Sequence, residues 1–290
     1  MSNPLHAKHY ADLAIQCTVA IEENELLARD TYRARFRCPE IASRVVPGQF
    51  LMLRLSGLSD PLMGRPLAIY DTVYSAEGEP DGIDVVYLAK GKLTRQLATC
   101  RPGQPLDVWG PLGNGFPVPT AEHLIMVAGG IGQTPFFAVG HEAIGGRRYG
   151  KPQRSTNRCA RVTLCYGART ADLLAGVEDF EAIGVEVRLA TEDGSRGHHG
   201  LVTDVLREVL ATSTLSREVV CCGPEPMLEA ASKIAAEDAT RCQVSLETPM
   251  ACGVGICFSC VVKVRDGSGA WDYKRTCVDG PVFDAAAIEW

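Results

Sequence analysis

Four cysteines near the C-terminus are the strongest constraint on what this chain can fold into. Cys252, Cys257 and Cys260 follow the spacing C-x4-C-x2-C, and Cys277 comes after sixteen intervening residues. Three thiolates on one short loop, with a fourth from a later segment, is the spacing of plant-type 2Fe-2S binding. Two glycines between the first two cysteines allow the loop to curl, because they lack a Cβ. The spacing therefore predicts a loop wrapped around a two-iron cluster.

A zinc site and a set of inert thiols are the two alternatives to a cluster at this cysteine quartet. A structural zinc site also uses thiolates, although its ligands more often come as C-x2-4-C pairs. Inert thiols would simply be buried. The remaining eight cysteines lie in apolar stretches and are expected to pack as small hydrophobic residues: Cys17, Cys38, Cys100, Cys159, Cys165, Cys221, Cys222 and Cys242. Because a reducing cytoplasm keeps thiols free for metal or redox chemistry, we expect a cytoplasmic protein.

The hydrophobic pattern changes near residues 111–117. Before that point, short β-prone stretches separated by turn residues predict an antiparallel barrel, with strands at 32–38, 48–55, 65–74, 83–89 and 105–108. After it, strand-turn-helix units predict a mostly parallel sheet, with strands at 124–128, 162–166, 185–190 and 219–222 and helices near 134–144, 172–183, 201–210 and 226–237. The chain is therefore expected to contain at least two domains.

Length and charge exclude several classes of protein. A chain of 290 residues has room for about two domains. Its net charge of -6, from 29 basic and 35 acidic residues, gives no basic field for nucleic acid. No apolar run approaches the roughly 18 to 20 residues of a membrane span, and the first residues lack the pattern of a secretory signal. Five basic residues in 145–158 predict a solvated loop, with a partner contact as the less favoured alternative.

Three further segments are candidate nucleotide contacts. A glycine-rich turn follows a predicted strand and opens a helix, which favours a pyrophosphate at the helix start over a simple packing turn; its residues are Gly129, Gly130, Gly132 and Thr134. Cys222, Gly223 and Pro224 follow another strand, where parallel sheets bind ligands, or they form an ordinary strand-to-helix turn. In the barrel, Arg65 beside Pro66 suits a diphosphate, and a surface ion pair is the alternative.

The order of these motifs resembles the ferredoxin-reductase superfamily. Within it, the chain is similar to the electron-transfer subunits of NAD-dependent dihydroorotate dehydrogenases, from about residue 12 to residue 290. The most specific segments are 250–260 and 277–284. The resemblance implies a multidomain α/β plus β protein: an antiparallel FAD-binding β-barrel (1–118), a parallel-sheet NAD-binding domain (119–245) and a small C-terminal 2Fe-2S domain (246–290).

The resemblance also implies the cofactor contacts. Flavin contacts fall on Arg65, Pro66, Leu67, Ala68, Val86, Tyr87, Leu88, Leu93 and Thr94. Ala68 lacks the hydroxyl usual beside the flavin ring, and Leu93 replaces the usual glycine. NAD contacts fall on the glycine-rich turn and on the Cys222 segment, with Cys222 near the nicotinamide in a packing or positioning role. The four clustered cysteines become iron ligands. No residue of the chain is expected to act as an acid, base or nucleophile.

The function implied by the resemblance is electron relay in pyrimidine (UMP) biosynthesis. Electrons from dihydroorotate, oxidised to orotate on an FMN-containing partner subunit, pass through 2Fe-2S and FAD to NAD+. That partner resembles a TIM barrel of about 250 residues and cannot lie within this chain; a heterotetramer with two copies of each subunit is implied. One alternative is a related flavin and iron-sulfur NAD(P)H reductase subunit of the ferredoxin-NADP reductase, hydrogenase or sulfide dehydrogenase type. Another is a silent scaffold subunit that holds zinc. Arg169 suits the 2′-phosphate of NADP, although the resemblance favours NAD.

Overall fold

A computed structural model describes Ala11 and residues 14–290. The other residues at the start of the expected flavin domain, and the N-terminal segment in which a secretory signal would lie, are outside the described residues.

The first domain is a closed six-stranded antiparallel barrel, as the alternating pattern predicts. Its strands follow the order β1-β2-β5-β4-β3-β6. The bounds are β1 Ile15–Ala28, β2 Thr31–Arg37, β3 Phe50–Leu55, β4 Arg65–Tyr74, β5 Pro80–Leu88 and β6 Pro105–Leu112. Two short helices that the pattern did not predict, α1 (Pro39–Ala42) and α2 (Lys92–Leu97), lie between strands.

Alternation along β4 and β5 gives the barrel one inner and one outer face. Because successive side chains of a strand point to opposite faces, one set fills the barrel core: Leu67, Ile69, Val85 and Tyr87. Tyr70 and Val86 instead belong to a core shared with the second domain. The outer face of these two strands is therefore the side that meets the nucleotide domain.

The second domain is a seven-stranded sheet of order β10-β9-β8-β7-β11-β12-β15, parallel except at β15. Its parallel strands are β7 His123–Gly129, β8 Arg161–Ala168, β9 Glu186–Thr191, β10 His198–His199, β11 Arg217–Cys222 and β12 Arg241–Ser245. Its helices are α3 Phe136–Ala143, α4 Val177–Ala182, α5 Val202–Thr212 and α6 Glu225–Glu237. The helix expected near 172–183 is shorter, because left-handed Gly176 (φ 71°) separates a 3-10 turn at Ala171–Leu173 from α4.

The C-terminal segment leaves the sheet and returns to it. The hairpin strands β13 (Val261–Arg265) and β14 (Trp271–Arg275) form a separate two-stranded sheet, and Val264 of β13 pairs with Ile288 near the C-terminus. Strand β15 (Val282–Asp284) then pairs antiparallel with β12 at the sheet edge. Part of the expected cluster unit therefore completes the nucleotide sheet. Within the described residues, no helix has the length and apolar character needed to cross a membrane.

The 145–158 loop holds the two larger domains together. Buried Asp71 of β4 accepts a hydrogen bond from Tyr149 Oη (2.5 Å) and pairs with Arg147. Farther along the loop, Arg154 pairs with buried Glu142 of α3. The segment is a loop, as expected, but it is only partly solvated, because buried carboxylates require cationic partners.

Candidate cofactor sites

The two nucleotide motifs form one tightly packed edge of the sheet. A Cβ added at Gly132 would lie 2.1 Å from the carbonyl oxygen of Cys222. At Gly129 it would lie 2.7 Å from Met227 Sδ and 2.8 Å from Pro224 Cδ. These glycines therefore let the turn after β7 contact the turn after β11 directly. The structure brings together two segments that are separate motifs in the sequence.

Gly130 has a different role from these packing glycines. Its backbone is left-handed (φ 55°), and an added Cβ would meet no atom within 4 Å. The turn therefore offers open space beside a backbone without a side chain, at the carboxyl end of a central parallel strand. That space fits the close approach of a dinucleotide pyrophosphate.

Thr134 and Gln133 lie behind the turn rather than on its open side. The Thr134 hydroxyl donates to Ile131 O (2.8 Å), and Val86 O of the barrel is 3.5 Å away. Thr134 is 2% exposed, so its hydroxyl holds the turn against β5. Gln133 is fully buried, and neither amide atom has a partner among the described residues. No pattern in the sequence marks Gln133, because a polar side chain in a turn is normally expected to face water.

Cys222 ends β11 beside Ala128 of β7 and Ser245 of β12. Burial raises the pKa of its thiol to about 12. The thiol therefore stays protonated at neutral pH, which agrees with a packing or positioning role rather than a nucleophilic one. Gly223 follows with φ 154° and Pro224 then precedes α6, so this segment turns sharply away from the sheet edge.

The expected flavin residues divide between the two faces of the barrel wall. Pro66, Ala68, Val86 and Leu88 alternate with the core residues, so they lie on the outer face beside the nucleotide turn. Leu67, Tyr87 and Leu93 have their side chains in the barrel core, and Tyr87 Oη donates to Asn24 Oδ1 (2.8 Å). Leu67, Tyr87 and Leu93 can therefore contact a flavin only through their backbone atoms.

Arg65 and the turn before α2 supply the polar part of this face. Arg65 is exposed, and among the described residues its guanidinium bonds only carbonyl oxygens. It is thus available for a diphosphate. Thr94 Oγ1 accepts from Gly91 N (3.1 Å). The flexible residue of this turn is Gly91, whereas the side chain of Leu93 is buried in the barrel core. The turn therefore has its glycine two residues before Leu93, at a position not among the expected flavin contacts.

The four clustered cysteines form two pairs. Cys260 Sγ and Cys277 Sγ are 3.2 Å apart, and both residues are buried. Cys257 is exposed and interacts with the Cys252 thiol. Hydrogen bonding with Ser259 lowers the pKa of Cys257 to about 6, and hydrogen bonding with Cys277 lowers the pKa of Cys260 to about 6.

This pairing fits a two-iron group. A single zinc ion holds four thiolates at about 2.3 Å in one tetrahedron. The Cys260–Cys277 contact places two of the four thiols side by side, as joint ligation of one iron requires, and thiolates are the ligands that iron-sulfur clusters use.

The cysteine loop is held against the barrel. Trp109 Nε1 of β6 donates to Cys252 O (3.2 Å). Left-handed Gly253 (φ 73°) packs so closely that an added Cβ would lie 2.5 Å from Met52 Cγ of β3. Arg275 Nη1 of β14 donates to Gly255 O (2.7 Å). No sequence signal marks the Trp109 contact, because it joins residues 143 positions apart.

Family models match all three units. The iron-sulfur cluster binding domain of dihydroorotate dehydrogenase B matches residues 247–289. An oxidoreductase FAD-binding domain matches 18–116, and an oxidoreductase NAD-binding domain matches 126–233. The chain is therefore an oxidoreductase subunit with FAD, NAD and iron-sulfur domains.

Whole-chain relatives agree with these domain matches. The dihydroorotate dehydrogenase B (NAD(+)) electron transfer subunit of Caldanaerobacter subterraneus subsp. tengcongensis is 33% identical over 91% of this chain and 95% of its own length. That of Shouchella clausii is 36% identical over 94% and 98%. A solved structure of NADH-dependent reduced ferredoxin-NADP oxidoreductase superposes with a TM-score of 0.76 at 27% identity, covering 94% of this chain and 90% of that chain. With the barrel, the nucleotide sheet and the paired cysteines, this likeness shows that the chain belongs to the family of dihydroorotate dehydrogenase B electron transfer subunits.

Proposed function

We propose that this chain carries electrons from dihydroorotate, oxidised on an FMN-containing partner subunit, to NAD+. The observation that carries the proposal is the position of the cysteine loop. One side of it packs on barrel strands β3 and β6, and its other side exposes Cys257. Bound cofactors would supply hydride exchange at FAD and single-electron exchange at 2Fe-2S. The protein fixes the positions of the proposed NAD turn, flavin face and cysteine loop relative to one another.

The surface around Cys257 supports contact with a partner. Ile256 is 70% exposed and Phe258 is 62% exposed, on either side of the exposed Cys257. Apolar side chains on a loop next to a redox centre suit a protein surface that must exclude water from the path of the electron. The proposed assembly is a heterotetramer with two copies of each subunit, which native mass spectrometry of the co-expressed subunits tests.

We infer that the dinucleotide is NAD rather than NADP. Arg169 at the end of β8 is exposed and has no carboxylate partner among the described residues, so a 2′-phosphate would find one cation there. Glu192 and Asp193 follow the neighbouring strand β9, and Asp193 N donates to Arg169 O (3.2 Å). Hydrogen bonds from Ser195 lower the pKa of Asp193. These carboxylates would repel a 2′-phosphate.

The remaining proposals concern site, domain limits and compartment. The outer-face residues and Arg65 would hold FAD, the Gly129 to Thr134 turn with the Cys222 segment would hold NAD, and the four clustered cysteines would hold the cluster. We propose domain limits at 118 and 245 from the sequence. Strand β15 lies in the 246–290 unit by these limits, but it belongs structurally to the nucleotide sheet. The eight cysteines outside the proposed cluster are free thiols, which supports a cytoplasmic location.

The test is dihydroorotate-dependent NAD+ reduction under anaerobic conditions by the FMN subunit, with and without this chain. NADH should form only when both subunits are present, and NADH should be oxidised faster than NADPH in the reverse assay. Cys257→Ser should abolish dihydroorotate-linked reduction. It should leave NADH oxidation by an artificial two-electron acceptor largely intact, because the nucleotide and flavin sites lie in the other domains.

Two outcomes would contradict this proposal. NADH oxidation by the artificial acceptor without any coupling to dihydroorotate would favour a reductase subunit for a different partner. The likeness to NADH-dependent reduced ferredoxin-NADP oxidoreductase makes that the second candidate. A colourless, zinc-containing protein would instead favour the scaffold alternative.

A further inference from the structure

A cavity separate from the flavin and nucleotide motifs lies where the 145–158 loop crosses the barrel. Its volume is about 200 Å³, which is room for several waters or a small ligand. Thr72 and Tyr74 line it from the end of β4. Ala68, the residue of the flavin face nearest to it on this strand, lies four residues before Thr72, about 13 Å away at roughly 3.3 Å per residue. The cavity is therefore not part of the flavin site.

The charge of the cavity wall favours an anion. Arg148 and Lys151 line it, both are exposed, and among the described residues neither side chain has a hydrogen-bond or ion-pair partner. Glu79 is the one carboxylate of the lining. Two unpaired cations facing one carboxylate give this surface a positive balance on a chain whose net charge is -6. Such a local cationic site attracts an oxyanion.

Thr72 supplies a polar group that no protein atom satisfies. Its backbone N donates to Asp71 Oδ1 (2.8 Å), and its carbonyl accepts from Arg147. Its hydroxyl is buried and has no partner among the described residues. The hydroxyl is shielded from solvent, so it marks a polar environment behind the cavity wall rather than a contact for a ligand. The lining thus combines two cations for an anion with Glu79 as an acceptor for a ligand hydroxyl.

We propose that this cavity binds a small hydroxylated molecule that carries a phosphate or carboxylate group. The site also has a structural consequence. Tyr149 of the lining and its neighbour Arg147 hold Asp71 of the barrel. A ligand that joins Arg148 and Lys151 to β4 would reinforce this contact between the flavin and nucleotide domains.

The test is calorimetric titration of the FAD- and cluster-loaded protein, saturated with NAD+ and held at constant ionic strength. The probes are inorganic phosphate, glycerol 3-phosphate and glycerate. We expect one site per chain, with glycerol 3-phosphate or glycerate bound more tightly than phosphate, and the tighter of the two identifies the anionic group. The double variant Arg148→Gln/Lys151→Gln should weaken binding at least tenfold. Glu79→Gln should tighten phosphate binding, a gain that misfolding cannot produce.

Arg158→Gln is the matched control, because Arg158 is an exposed cation of the same loop that does not line the cavity. Its affinity for each probe should equal that of the wild type. The proposal is overturned if the wild type binds none of the probes. It is equally overturned if the double variant binds as the wild type does, or if Glu79→Gln weakens phosphate binding.

Discussion

Gly132 lies where two backbone turns meet so closely that no side chain fits between them. The alanine variant Gly132→Ala would place a methyl carbon 2.1 Å from Cys222 O. Because backbone cannot move away as a flexible side chain can, we expect destabilisation of about 3 kcal/mol. NADH should also bind more weakly, since the nucleotide turn would be displaced. Urea unfolding and NADH titration measure the two effects.

Gly267→Ala is the control for this variant, because its added Cβ would meet nothing within 4 Å. Its stability should stay within about 0.5 kcal/mol of the wild type. Equal stability of the two variants would show that the turns can separate without cost.

His123 makes the stability of the nucleotide sheet depend on pH. It is fully buried, with Nδ1 2.8 Å from Ser213 Oγ and Nε2 2.8 Å from Thr163 Oγ1. Burial lowers its pKa from 6.5 to about 4. Below pH 6.5 the unfolded chain therefore binds a proton that the folded chain refuses. This histidine's contribution is complete above pH 6.5 and declines as pH falls towards 4.

We expect His123→Gln to flatten the slope of unfolding free energy against pH between 6.5 and 4, measured by urea unfolding of the apoprotein. His199→Gln, at an exposed edge position, should keep the wild-type slope. If His123→Gln kept the wild-type slope of unfolding free energy against pH, a group other than His123 would be responsible for it.

At the scale of elements, β6 carries the contact that positions the cysteine loop. Trp109→Phe keeps an aromatic ring but removes the hydrogen bond from Nε1 to Cys252 O. Loss of such a bond costs about 1 kcal/mol, and the loop should open more often. We therefore expect the variant to lose its visible iron-sulfur absorbance several-fold faster in the presence of a chelator.

Trp271→Phe serves as the comparison, because Trp271 is a tryptophan of the neighbouring hairpin that is 48% exposed. It should lose absorbance at the wild-type rate. If Trp109→Phe lost its absorbance at the same rate as the wild type, the hydrogen bond from Trp109 would not hold the loop.

Local pattern predicts the elements of this fold better than the contacts between them. The β4 and β5 positions follow from alternation, and the same alternation places Tyr87 inside the barrel. The break at Gly176 and the edge strand β15 depend on neighbours from other parts of the chain. Cysteine spacing is informative because cluster ligation needs side chains only a few residues apart. The Trp109 contact and the buried Gln133 amide carry no local signal of that kind.

At the scale of the whole molecule, the contact around Asp71 joins the barrel to the nucleotide domain. Asp71 is 5% exposed and binds Arg147, Tyr149 and the backbone of Thr72. Asp71→Ala would leave a partly buried guanidinium without its carboxylate, at a cost of about 3 kcal/mol. We expect lower stability and faster proteolysis within the 145–158 loop, measured by urea unfolding and limited digestion.

Asp81→Ala breaks a comparable ion pair with Arg37, whose side chain is 66% exposed. Its cost should stay below about 1 kcal/mol because solvent screens that pair. If both variants lose equal stability, the domain junction does not depend on Asp71.

The pairing of β12 with β15 gives the cysteine-bearing segment a particular architecture. Both of its ends are anchored in adjacent strands of one sheet. The segment is therefore a long insertion between two paired strands, not a domain attached by a single flexible linker. A cluster domain on a flexible linker must diffuse to its electron acceptor, so its rate of electron transfer depends on the length of the linker. A segment anchored at both ends would hold a bound cluster at a constant distance from the flavin face, so electron transfer between them would not depend on domain motion. The same segment also completes the packing of its neighbours, because Cys260, Cys277 and Val278 share a buried cluster with Phe50, Met52 and Leu112 of the barrel.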